Sequence, residues 1–123
     1  MVAAAGAVFN FDPGLFQCCG GTLFTNEGGT LLNAGSLKIT GAAPKSINTN
    51  TLPNSQINTL DNEGFILWTG TGVILCFNGV ILNNGASFDI QTNDSSELLI
   101  FNNGGLPATF INVGTLTKSA GGR

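Results

Sequence analysis

The sequence predicts an all-β protein, a parallel β-helix of roughly five coils. Three observations carry that prediction. Helix patterning is almost absent: glycine and β-branched residues dominate, and no window shows an apolar stripe at helical spacing that is free of glycine. Short apolar runs recur instead, among them "GTLLN", "GSLKIT", "GFILWTG", "GVILCFN", "GVILN", "ASFDIQT", "ELLIFN", "ATFIN" and "GTLTKS", each bounded by Asn, Gly, Asp or Thr. The tripeptide Asn-x-Gly begins at Asn26, Asn33, Asn62, Asn83, Asn102 and Asn112, with steps of 21 and 19 residues from Asn62 to Asn83 to Asn102. One solenoid coil has that length, and each coil buries its inner face only by stacking on neighbours.

Taken in order, residues 1–21 lack the repeat and hold the turn signal "FDPGLF", so they are expected to form a cap-like segment on the first coil. "NAGSLKITG", "NEGFILWTG" and "NVGTLTKSAG" share the form N-x-G-x-[L/I]-x-x-[T/S], a corner followed by a strand. Asn33, Asn62, Asn83 and Asn112 are the expected corners, with Gly35, Gly64, Gly85 and Gly114 beside them, because Asn and Gly tolerate φ > 0. Stacked Asn side chains could also bond coil to coil as a ladder. Residues 42–59, rich in Asn, Thr and Pro and poor in large apolar residues, are expected to project as a loop from a single domain spanning 1–123. The expected inward positions are Leu37, Ile39, Ile66, Trp68, Ile74, Leu82, Phe88, Ile90, Leu99, Phe101, Phe110 and Leu116. The C-terminus follows a repeat strand directly, which suggests an end that pairs with another coil, of a second copy or of a longer solenoid.

Composition removes several function classes. Charged residues are only 9% and the net charge is −3, with Lys38, Lys45, Lys118 and Arg123 the only cations, too few for the phosphate contacts of nucleic-acid binding. No run approaches the ~18 apolar residues of a transmembrane span, and the apolar start "MVAAAGAVFNFDPG" lacks the basic region of a signal peptide. The chain has no histidine, so Ser-His and Cys-His nucleophile systems and His-based metal sites are excluded. Cys18, Cys19 and Cys76 read as small hydrophobes, with a bridge from Cys18 or Cys19 to Cys76 as the alternative. No cofactor is expected.

The remaining candidates are weak in pattern. "GTG" at Gly70–Gly72 lacks the third glycine and helix of a phosphate loop. Asp89, Asn93, Asp94 and Glu97 offer oxygen ligands for Ca²⁺, but at no established spacing, and a solvated turn is the simpler reading. Asp89 with Asp61 or Glu63 could pair on one side of a solenoid as glycosidase carboxylates, which opens a carbohydrate-binding or polysaccharide-cleaving alternative. Thr40, Thr69, Thr71, Thr115 and Thr117 include Thr-x-Thr pairs that would line an ice-binding face if repeated in successive coils. Low charge and open strand edges favour end-to-end self-assembly, a heterologous contact that makes filaments.

"FTNEGGTLLNAGSLKITG", "LWTGTGVILCFNGVILNNGASFDIQ" and "FINVGTLTKSAGG" resemble the repeat arrays of large bacterial surface proteins of the filamentous-haemagglutinin and autotransporter-adhesin type. The resemblance implies a right-handed parallel β-helix with a structural or adhesive role outside the cell or at its surface. The function expected is therefore that of a non-catalytic β-solenoid element whose partner is itself or adjacent repeats, with carbohydrate as a further candidate.

Overall fold

Short strands bounded by glycine and asparagine can bury one face only if the chain returns on itself, and here it does so in a regular winding. The computed structural model describes residues 2–3, 6–25, 29–47, 58–77, 79–92, 100–102 and 105–120. The first coil contributes β1 (Val2–Ala3), β2 (Val8–Phe9) and β3 (Gln17–Cys18), and the second β4 (Gly21–Thr25), β5 (Gly29–Asn33) and β6 (Ser36–Ile39). The third holds β7 (Lys45–Ile47), β8 (Asn58–Asn62) and β9 (Phe65–Trp68), and the fourth β10 (Ile74–Cys76), β11 (Ile81–Asn84) and β12 (Ser87–Ile90). The fifth holds β13 (Ile100–Asn102), β14 (Thr109–Asn112) and β15 (Thr115–Lys118). Every third strand pairs in parallel, giving three five-stranded sheets: β1-β4-β7-β10-β13, β2-β5-β8-β11-β14 and β3-β6-β9-β12-β15. The fold is a β-solenoid of five coils, about 4.8 Å apart.

Strand alternation sends one set of side chains inward, and register stacks them in columns. In the third sheet Leu37, Ile66, Phe88 and Leu116 share one column, and Ile39, Trp68, Ile90 and Lys118 the next. In the second sheet the column is Leu31, Leu60, Leu82 and Phe110. Leu37, Ile66 and Phe88 are 0%, 1% and 3% exposed, whereas Leu116 on the fifth coil is 46% exposed. The expected inward positions thus fall on inward columns where they are described; Leu99 and the Phe101 side chain lie outside the described residues. Leu23, Leu31, Ile47, Leu60, Cys76 and Val80 complete the core.

Two segments hold strands that the sequence did not suggest. Residues 1–21 are not separate from the stack: β1, β2 and β3 pair with β4, β5 and β6 as its first coil. That coil holds an aromatic cluster, where the Phe9 ring lies 4.7 Å from Phe16 and 5.7 Å from Phe11, and Phe11 stacks on Phe16 at 5.3 Å. The segment 42–59 contains β7 and the start of β8, so it carries the first and second sheets through the third coil; residues 48–57 lie outside the described residues. Its low apolar content hid this because an inward position of β7 is a lysine. Lys45 is 3% exposed, stacks between Gly21 and Ile74, and its Nζ donates to the Gly41 carbonyl at 2.7 Å. Burial pushes that ammonium below its ordinary pKa.

Candidate functional site

The most developed polar arrangement is a column of asparagines at the corner between the second and third sheets. Asn33, Asn62, Asn84 and Asn112 occupy one register position in successive coils. Asn33 Nδ2 donates to Asn62 Oδ1 at 2.8 Å, Asn62 Nδ2 to Asn84 Oδ1 at 2.7 Å, and Asn84 Nδ2 to Asn112 Oδ1 at 2.7 Å. Each Nδ2 also donates to a carbonyl three residues on in the following coil: Phe65 at 3.2 Å, Ser87 at 2.9 Å and Thr115 at 3.0 Å. An amide both donates and accepts, so one residue type can bond upward and downward without limit. Because Asn33, Asn62 and Asn84 are each 1% exposed, the ladder replaces hydration of buried groups rather than decorating a surface.

The column corrects one expected corner. Asn83 points outward on the second sheet and donates to Asp61 Oδ1 at 2.8 Å, while Asn84 takes the ladder position. The sequence "NNG" admits both readings, and only register decides between them. Asn102 pairs with Cys76 in the first sheet, away from the ladder, and Asn26 lies outside the described residues. Coil lengths read along the ladder are therefore 29, 22 and 28 residues.

The glycines beside the ladder serve a different purpose from the one expected. Positive φ occurs at Gly6, Gly14, Gly21, Gly29, Gly41, Gly79 and Gly105, and at none of Gly35, Gly64, Gly85 or Gly114. A Cβ on Gly64 would meet the Gly35 carbonyl and Ala34, one on Gly35 would meet Phe11, and one on Gly114 would meet Ala86. Close stacking of corner backbones, not a left-handed turn, excludes a side chain there. Gly85 is the exception: a Cβ would approach Asn62 O at an ordinary 3.4 Å, because the ladder residue is Asn84 and Ala86 fills the position two residues after it. Corner N–H groups then bond the preceding ladder carbonyl, Glu63 N to Asn33 O at 3.0 Å, Gly85 N to Asn62 O at 2.9 Å and Val113 N to Asn84 O at 3.0 Å.

The threonines set out as a possible ice face are divided among columns. Thr115 shares one with Ser36, Phe65 and Ser87, and Thr117 another with Lys38, Leu67 and Asp89. Thr40 and Thr69 follow at the strand ends, where Thr69 N bonds Ile39 O at 2.8 Å, and Thr71 lies in the turn beyond. A threonine column that sequence reasoning missed lies on the second sheet, with Thr30, Thr59 and Thr109 interrupted by Ile81.

Among the acids, Asp89 accepts from Ser119 Oγ and Gln91 Nε2, both at 2.8 Å; the Ser119 bond chiefly holds its carboxyl below the usual pKa. Asn93, Asp94 and Glu97 lie outside the described residues. Asp89 occurs on the third sheet and Asp61 on the second, so register does not pair them in one column. Cys18, Cys19 and Cys76 are free thiols, and burial pushes Cys76 up to about 11. The lateral surface has a recess of about 430 Å³ lined by Asn10, Phe11, Asp12, Pro13, Gly35, Ser36, Gly64 and Phe65. Against the core, beside the ladder, the space enclosed by Leu60, Asn62, Leu82 and Phe110 is only about 10 Å³. No protein-family model, curated protein or solved structure matches this chain.

Proposed function

We propose that the chain is a non-catalytic structural or adhesive element of a β-solenoid that works outside the cell or at its surface. The observation that supports this reading best is the asparagine ladder: three almost fully buried amide side chains are spent on joining coil to coil. The low charge and the resemblance to bacterial surface repeats agree with it. Incubation with a panel of polysaccharides tests it, because a structural element leaves every polymer intact. Release of new reducing ends from any of them would overturn the reading.

A second reading, carbohydrate binding, is favoured by the lateral recess. It combines two half-exposed phenylalanines, Phe11 and Phe65, with Asp12, Asn10 and Ser36, which is the mix of apolar face and hydrogen-bonding rim that a sugar ring requires. Retention on a polysaccharide column that is lost in Phe65→Ser would support it. Retention unchanged by Phe65→Ser would remove this recess from consideration.

A further inference from the structure

Resting on the structural reading, we infer that the face formed by β13, β14 and β15 receives one kind of partner, a parallel β-coil carrying asparagine at the ladder position. The ladder has a sense. Each Nδ2 from Asn33 to Asn84 donates to the following coil, but among the described residues Asn112 Nδ2 reaches only Gly114 O of its own coil, at 3.3 Å. Asn112 therefore presents its donor to whatever lies against this face, and the complement is an amide oxygen followed three residues on by a carbonyl. The apolar complement is present as well. Leu116 and Phe110 are exposed and half-buried respectively, and Leu116 continues the column that is dry at Leu37, Ile66 and Phe88.

The chain's own first coil does not supply that complement. Phe9 takes the ladder position there, directly in register with Asn33, and among the described residues Asn33 Oδ1 is buried without a hydrogen-bond partner. A second copy docked head-to-tail in register would set Phe9 over Asn112 and bury that amide with its bonds toward the next coil unmade, at a cost the ladder coils avoid. Lys118 adds discrimination. It ends the Ile39–Trp68–Ile90 column, and its Nζ donates to Thr92 O at 3.1 Å and Ala120 O at 3.2 Å. An inward-column charge at a sheet edge discourages indiscriminate strand pairing. Lys45 shows that the stack accepts such a lysine under a further coil when a backbone carbonyl receives it.

The test inserts a second copy of residues 69–90, the shortest full coil, between Lys118 and Ser119 of the complete chain. The added coil should raise the thermal midpoint by more than about 5 °C, and Asn84→Leu within the inserted copy should remove most of that rise. In the same chain Asn112→Leu should lower the midpoint at least twice as far as it does in the parent. An insert that leaves the midpoint unchanged, or equal midpoints for the Asn and Leu inserts, would overturn the inference. So would in-register filaments of the unmodified chain, which would place Phe9 against the face. None of these outcomes bears on whether polysaccharides are cleaved, so failure here is distinct from failure of the structural reading.

Discussion

Two corners of the same winding behave differently. Between the second and third sheets the chain turns in two residues in each of coils two to five, at Ala34–Gly35, Glu63–Gly64, Gly85–Ala86 and Val113–Gly114. Between the first and second sheets the connections run through residues 26–28, 48–57, 77–80 and 103–108. The first coil, with Phe9 in place of an asparagine, needs residues 10–16 at the otherwise short corner. The lesson is that corner length is fixed where a side-chain ladder and backbone contact act together. Without that constraint the chain admits insertions, for which loop closure costs little.

Breaking the core common to both corners should have the largest effect. Trp68 is fully buried, and Trp68→Ala should cost about 3–5 kcal/mol in denaturant unfolding; a near-neutral result would place the ring outside the core. Next comes the ladder itself. Asn62→Leu leaves Asn84 Oδ1 without its donor and should cost about 2–3 kcal/mol, whereas Asn83→Leu, on the outer surface, should stay within about 0.5 kcal/mol. Equal losses would mean that register at "NNG" had been misassigned. The tight corner is tested by a single methyl: Gly64→Ala should cost about 1–3 kcal/mol through backbone displacement, and Gly85→Ala should remain within about 0.5 kcal/mol. Comparable losses at both would show that contact does not distinguish them.

Alkaline titration gives an effect of similar size inside the first sheet. The folded Cys76 thiol keeps its proton to about 11, while the unfolded thiol releases it near 9.0. The unfolded state then binds fewer protons, so this thiol's contribution to stability is constant below pH 9 and falls as pH rises to 11, by about 2 kcal/mol. Cys76→Ala should reduce that fall; Cys18, whose thiol burial also raises, acts in the same direction and Lys45, with its depressed pKa, in the opposite one, and both are common to the two proteins. The smallest effect is expected at the variable corner. Two residues inserted after Gly105, an exposed glycine at φ 75, should cost under about 1 kcal/mol, and a loss as large as that of Asn62→Leu would erase the contrast between the corners.

The sequence made the winding legible because strand alternation has period two and apolar partners of one column, Leu37, Ile66 and Leu116, recur four residues after the asparagine of an Asn-x-Gly. It made the ladder legible in kind but not in register, since adjacent asparagines at 83 and 84 differ only in which face they take. The role of Gly64 could not be read either: absence of a side chain looks the same whether φ or a neighbouring backbone demands it. Lys45 was hidden for a related reason. Its stem packs like an aliphatic chain, and only the nearby Gly41 carbonyl makes burial of the ammonium tolerable.

The backbone bonds between coils, and the ladder amides from Asn33 to Asn84, are directed along the axis of the stack. Tension applied along that axis loads the coils in series, so they peel away singly while the rest remain closed. Each opening frees the residues of one turn, 22 to 29 of them, which extend to about 75–100 Å. A stack some 25 Å tall thus stores several times its own height as extensible tether, released in steps rather than by a single rupture.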